Sequence, residues 1–291
     1  MCLARFSFAM MKPAAFALLL LSLGALMPAA KRPEQPDLHQ LPDKPRILVV
    51  NDDGIQSAGI AALAESLSEI GEVIVVAPDG NRSGTSASST LFSTTLSVKK
   101  VDIQGATEAY SVSGTPTDAA DFGLVHIGKD RPFDIIVSGI NAGSNVGEVA
   151  HYSGTVGAAM EGPAFGIPGI AISQSGRRNF DRSARFAATF LRQLIDKGAD
   201  TGVVYSINVP NKPKEELDVS PAPMGGRYLQ FGNFRKLENK DDSEQYRAQI
   251  RLEKSSPIGS DTAEVFAGKI SITPLLYNWT SAPILERLKS W

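Results

Sequence analysis

An α/β fold is what this chain predicts: a three-layer core around a mainly parallel sheet, with a β-rich arm. Three observations carry that expectation. Short apolar runs such as Ile47-Leu-Val-Val50 and Val73-Ile-Val-Val-Ala77 stop abruptly in polar turns, as strands covered on both faces do. Segments of helical periodicity alternate with these runs. From about residue 212 the pattern changes to Pro-interrupted stretches of alternating polar and apolar residues.

The 291 residues are 43% hydrophobic and 21% charged, a globular balance that suits one large domain with an elaboration. The net charge of -2 gives no field favouring nucleic acid or anionic membrane, so no nucleic-acid polymer is expected as a partner. Cys2 is the only cysteine, which removes disulfides and thiol nucleophiles from the body of the protein.

Residues 1–30 read as a secretory signal peptide. Arg5 and Lys12 precede the apolar run Ala14 to Met27, and Pro28-Ala29-Ala30 leads into polar sequence. Met11 offers a second start that tightens the same signal. The competing reading is an uncleaved anchor, for which the apolar run is short. Export to the periplasm or beyond the cell is therefore expected, with no stable membrane insertion after cleavage; cytoplasmic retention is the alternative. Residues 31–44, rich in Pro and charge, read as a linker, and 45–291 as a single domain.

The elements follow in order. Arg46 to Val50 is the first strand, Gly59 to Ile70 a helix ended by Gly71, and Glu72 to Ala77 a second strand, giving a right-handed β-α-β unit. Leu91 to Val112, rich in Ser, Thr and Val with a turn near Asp102 to Gly105, reads as a hairpin or two β-strands and not as helix. Thr115-Pro116-Thr117-Asp118 opens a helix with an N-cap, a proline at its first position and an acid at the positive dipole end. Phe133 to Ser138 is the third core strand, followed by a Gly/Asn loop through Gly147. Ser153-Gly154-Thr155 opens a small-residue helix; Pro168 to Ser173, Arg182 to Lys197 and Val203 to Val209 read as strand, helix and strand. The arm spans about 212–268, and 269–291 supply a last strand and a short terminal helix.

Three of these strands end in Asn51-Asp52-Asp53, in Asn81-Arg82-Ser83-Gly84 and at Asn141. In open α/β sheets ligands gather at such carboxyl ends. If the strands are neighbours, Asp52, Asp53, Ser83 and Asn141 offer carboxylate, hydroxyl and amide oxygens, a hard divalent cation's ligand set. The three histidines show no paired metal-ligand spacing, which disfavours zinc. Each loop has a plainer reading as a helix cap or Asx turn, and Arg82 reads equally as a phosphate contact or a surface ion pair. The helix start at Ser153, Gly154 and Thr155 presents free N–H groups suited to phosphate, or packs small residues on the sheet. It lacks a P-loop lysine and the dinucleotide glycine spacing. A cation facing such a helix start suits phosphate-ester hydrolysis, with Asp52 or Asp53 placed to take a proton from water.

Asn51-Asp-Asp-Gly54, Ala77-Pro-Asp79, Asn81-Arg-Ser-Gly84, Gly114-Thr-Pro-Thr-Asp118 and Ser138-Gly-Ile-Asn141 together resemble the signature blocks of the SurE family. Tyr152-Ser-Gly-Thr-Val156, Ala158-Ala-Met-Glu-Gly162, Asn208-Val-Pro210 and Ser271-Ile-Thr-Pro-Leu275 continue the series, so the likeness spans Arg46 to Leu275. The resemblance implies a Rossmann-like core, a hairpin arm and a C-terminal extension used in homodimer or homotetramer assembly. It implies a 5′-nucleotidase, in many members also 3′-active, hydrolysing nucleoside monophosphates with Mg²⁺ or Mn²⁺. Carried over by position, Asp52, Asp53, Ser83 and Asn141 hold the metal, and Asn51, Ser153, Gly154 and Thr155 line the phosphate pocket. The chain departs from the family in its export signal, in Ser144 where several members have Pro, and in Ala119 where several have Cys. Two other readings stand beside this one. A receiver-type signalling module would need a phospho-acceptor Asp after the third core strand, where this chain has Ser138-Gly-Ile-Asn141. A non-catalytic nucleotide-binding protein would not need the intact acidic pair.

Overall fold

The computed structural model describes residues 38–211, 218–238, 243–253 and 255–291. The expected signal peptide lies outside them. Leu38 to Trp291 form one compact unit.

β1 (Arg46–Val50), α1 (Ala58–Ser68) and β2 (Glu72–Pro78) build a β-α-β unit with parallel strands. β3 (Val98–Val101) and β4 (Glu108–Val112) pair antiparallel, and β4 docks parallel on β2. The hairpin is shorter than its Ser/Thr-rich sequence predicts, because residues 91–94 turn and 95–97 take no regular structure. α2 (Pro116–Asp121) begins at a full capping box: Asp118 N–H donates to Thr115 Oγ1, and Thr115 N–H donates to the Asp118 carboxylate. It runs on into a π-helical turn, Phe122–Ile127. β5 (Ile135–Ala142) then leads through a 3₁₀ turn (Gly147–Tyr152) to α3 (Gly154–Ala164). β6 (Gly169–Gln174), α4 (Asp181–Lys197) and β7 (Val203–Val209) complete the parallel core.

The sheet order is β3-β4-β2-β1-β5-β6-β7-β11-β8. β11 (Ile270–Leu276) runs antiparallel to β7, and β8 (Val219–Pro221) parallel to β11. Alternation along β1 feeds two cores. Ile47 and Val49 face α1 and α4 with Ile60, Leu63 and Leu191, while Leu48 and Val50 face α2 and α3 with Ala119 and Ala158. Sheet and two helical layers make the three-layer, Rossmann-like core.

Three expectations are corrected here. The described part of the expected linker, residues 38–44, is anchored though largely exposed: Leu41 alone is buried, at 2% exposed, and His39 and Ala199 exchange backbone hydrogen bonds of 2.7 and 2.9 Å. A single well-placed leucine converts a polar segment into a seat for the end of α4. The third core strand does not stop at Ser138. It passes an irregularity in its register with β6 and resumes at Asn141, so Asn141 is held by the sheet and not by a free loop. The region 212–268 is only partly arm. β9 (Leu229–Lys236) and β10 (Tyr246–Leu252) form the projecting hairpin, but β8 belongs to the main sheet and α5 (Asp261–Phe266) is a helix with Asp261, Thr262 and Val265 buried. α6 (Ala282–Lys289) closes the chain and buries none of its residues.

Where α2 meets α3, Glu161 hydrogen-bonds Asp121. Burial, and then the Asp121 charge, push Glu161 up to about 7; burial, and then the Asp118 charge, raise Asp121. A folded-state pKa above the unfolded value means the native state holds an extra proton, so this pair destabilises as pH rises from the ordinary glutamate value of 4.5 through about 7. Glu161→Gln is expected to raise the melting temperature at pH 8 and leave it nearly unchanged at pH 4, in scans run at both. A variant that melts lower at pH 8 would contradict this sign.

Candidate metal and phosphate site

β1 sits between β2 and β5, so the three polar strand ends meet at one edge of the sheet. The strand order also reverses here: the chain moves from β1 to β2 and β4 on one side, then returns to β5, β6 and β7 on the other. That reversal is where open α/β sheets leave a crevice.

The turn after β1 is closed by Asn51. Its Nδ2 donates to Gly54 O at 3.0 Å and to Ser57 Oγ at 2.8 Å, and its Oδ1 accepts Gly54 N–H at 3.2 Å. Gly54 has φ +99°, and a Cβ there would stand 2.9 Å from Gly80 C, so the β1 and β2 turns lie against each other. Asn51 is fully buried with its amide taken up inside this turn. Asn51 thus fixes the turn that carries the acidic pair.

Asp52 is 3% exposed, and its Oδ1 accepts the Thr155 hydroxyl at 2.7 Å. Burial pushes its carboxyl up to about 6. The Thr155 hydroxyl opposes that rise, and the neighbouring Asp53 charge adds to it. Asp53 is half-buried and ties the flanking strands together: Oδ1 accepts Asn81 Nδ2 at 3.2 Å, and Oδ2 accepts Ala142 N–H at 2.9 Å. Asn81 Oδ1 in turn accepts Ser83 N–H at 3.1 Å, so one amide links Ser83 to Asp53. Asn141 Nδ2 donates to Gly143 O at 2.8 Å, and no hydrogen bond among the described residues engages its Oδ1. Arg82 is half of an ion pair with Asp79, 2.9 Å away.

Across the crevice, Ser153 caps α3 by accepting Val156 N–H at 3.1 Å, and Thr155 is fully buried with its hydroxyl on Asp52. The Thr155 proton is therefore committed to Asp52, whereas Ser153 accepts an N–H and keeps its own O–H to donate, which with the backbone N–H groups of the first turn makes up the anion-binding element. A Cβ on Gly154 would lie 2.9 Å from Asp52 Cβ and 3.1 Å from Pro116 Cγ and Thr85 Oγ1. Gly154→Ala is thus expected to cost about 1–3 kcal/mol of stability and to cut activity at least about tenfold. Denaturant titration and kinetics check it; an unimpaired alanine variant would show that the close approach is not needed.

Several residues shape this site without having been read as doing so from sequence. Asp118, fully buried, accepts Ser89 Oγ (2.7 Å), Thr90 N–H (3.0 Å) and Thr90 Oγ1 (2.6 Å), pinning the segment that follows Ser83 onto α2. Asn208 Oδ1 accepts Asn145 N–H at 2.7 Å and holds the loop after β5. The capping pattern revealed Asp118's helix but not its partners 28 and 29 positions earlier.

The donor chemistry fits a hard cation. Asp52 is a buried carboxylate with a hydroxyl partner, and no salt bridge among the described residues engages it or Asp53. Two adjacent acids without a cationic partner are costly unless an ion or proton neutralises them.

Residues 47–230 match the family model described as survival protein SurE. A protein of Vibrio parahaemolyticus named 5′-nucleotidase SurE is 38% identical over 257 residues, covering 88% of this chain and 98% of its own. One of the same name from Aeromonas hydrophila is 38% identical over 84% of this chain and 98% of its own. The crystal structure of the SurE protein from Aquifex aeolicus superposes with a TM-score of 0.72 at 36% identity, over 84% of this chain and 99% of that one. By family model, relatives and fold alike, this chain belongs to the SurE family.

Proposed function

We propose that the chain is a metal-dependent phosphomonoesterase that releases phosphate from nucleoside monophosphates, a 5′-nucleotidase with 3′-esters as a second substrate class. The observation that carries this reading is the buried Asp52 carboxylate, with no salt bridge to it among the described residues, set against the N-terminus of α3. Asp52, Asp53, Ser83 and Asn141 would hold Mg²⁺ or Mn²⁺, whose chemistry is to polarise the phosphoryl oxygens and acidify a bound water. The remaining work falls to the chain itself. First-turn N–H groups of α3 bind and orient the phosphoryl oxygens, and Gly154 lets them approach the backbone. Asp52 or Asp53 accepts the proton from attacking water, and Asn51 fixes the turn that presents both.

A homodimer or homotetramer fits the exposed apolar residues of the hairpin and α6, Phe234, Ile250 and Leu285 among them. Export follows the reading of residues 1–30, and fractionation finding the full-length chain in the cytoplasm would overturn it. No helix among the described residues is long and apolar enough to cross a membrane. A phosphate-release panel over nucleoside monophosphates tests the function. Hydrolysis is expected with Mg²⁺ or Mn²⁺ and is expected to vanish in EDTA; activity that persists after chelation would defeat the metal mechanism.

A further inference from the structure

Next to the phosphate helix is a cavity of about 270 Å³ that the reaction scheme above leaves unused. One wall is the 3₁₀ turn, with Glu148 and Tyr152; the other is the root of the hairpin arm, with Arg227, Gln230 and Phe231. The two walls are fastened together. Glu148 N–H donates to Gly226 O at 3.0 Å, and Arg227 Nε lies 3.2 Å from Glu148 Oε1. Behind them Asp261, 2% exposed, accepts Gly147 N–H and Gly225 N–H, each at 2.9 Å. Gly147 has φ +54°, and a Cβ there would meet Gly226 O at 2.2 Å, so the walls are as close as backbones allow.

The lining is unusual for a surface held this firmly. Tyr152 is 59% and Phe231 62% exposed, and neither ring stacks on another ring among the described residues. Rigid walls bearing open aromatic faces and an amide suit a flat heteroaromatic group: rings supply stacking, and Gln230 offers both a donor and an acceptor to an edge. Position points the same way. Tyr152 immediately precedes Ser153, the N-cap of α3, so its Cα lies within about 7.6 Å of that of Gly154. A ribose spans that kind of gap.

We propose that this cavity is the nucleobase subsite, with the base held against Tyr152 and Phe231 and its edge read by Gln230. The proposal rests on the nucleotidase reading and adds its specificity determinants. The test compares a nucleoside 5′-monophosphate with ribose 5-phosphate, which lacks the base, in the Mg²⁺-loaded full chain. Tyr152→Ala and Phe231→Ala are each expected to lower the ratio of kcat/KM for nucleotide over ribose phosphate about tenfold, through KM and not kcat. Gln230→Glu is expected to reorder preference among the four bases. A ratio unchanged in both alanine variants overturns the subsite alone, since phosphate release would still proceed. A ratio that moves only together with the sedimentation mass assigns these rings to contact between copies, and also overturns it. Wild-type protein that hydrolyses neither ester overturns the nucleotidase reading and the subsite with it.

Discussion

Asp53→Ala is expected to lower kcat/KM for phosphate release on the order of 10³-fold while leaving the fold in place. The two halves of this expectation come from different contacts. On the functional side, Asp53 is the carboxylate that touches both neighbours of β1, through Asn81 on one side and Ala142 on the other, so its loss unties the proposed ligand set as well as removing a charge. On the structural side, Asp53 is only half-buried, and its partners can turn to water; the cost is about 1 kcal/mol, a few degrees of melting temperature at most. Phosphate release and a thermal melt in the same buffer check both halves. Substantial activity in the alanine variant would remove Asp53 from the mechanism.

Asp52→Asn is expected to move stability and activity in opposite directions. In cation-free protein the Asp52 carboxyl stands at about 6, above its ordinary value of 3.8. Between those values the folded state holds more protons than the unfolded one, so stability falls as pH rises through that window, and the full penalty is present above about 6. The upper bound on that penalty is about 3 kcal/mol. Asparagine carries no charge and keeps an oxygen for the Thr155 hydroxyl, so the variant is expected to melt about 4 °C higher than the parent at pH 7.5 in EDTA. At pH 4 the difference is expected to shrink toward zero. Adding Mg²⁺ or Mn²⁺ should raise the parent's midpoint and not the variant's, and hydrolysis should be lost. A variant that melts below the parent at pH 7.5 in EDTA would mean that the ionised carboxylate stabilises the apo protein, contrary to the burial described.

Much of this architecture was readable because it is written in short-range pattern. Four consecutive apolar residues before Asn51 mark a strand buried on both faces, and β7 has the bounds its Val/Ile alternation predicts. Once strands are located, their polar ends indicate Asp52, Asp53, Ser83 and Asn141, and the observed order β2-β1-β5 makes them neighbours. What the pattern does not carry is the identity of long-range partners. Asp118 reads as a helix-capping acid, yet it also grips Ser89 and Thr90; Asp261 reads as arm, yet it binds both Gly225, 36 positions earlier, and Gly147, 114 positions earlier. α5, at six residues, is too short for helical periodicity to stand out, and the extension of β5 depends on an irregularity that alternation cannot foresee. Asn51 is different again. Its hydrogen bonds span three and six residues, so the turn it closes is a short-range feature available from sequence, whereas its place in a phosphate pocket comes from the family likeness alone.

That Asn51 turn has a kinetic meaning. Its three hydrogen bonds are internal, and the glycine behind it leaves no room to reshape. Two like charges held on such a turn cannot swing apart to relieve each other, and nothing has to fold for them to receive a cation. The speed of loading then passes from the protein to the hydration shell of the incoming ion. Mg²⁺ sheds its waters reluctantly, so in a stopped-flow experiment Mn²⁺ would load faster than Mg²⁺ even where the two support the same final rate of turnover.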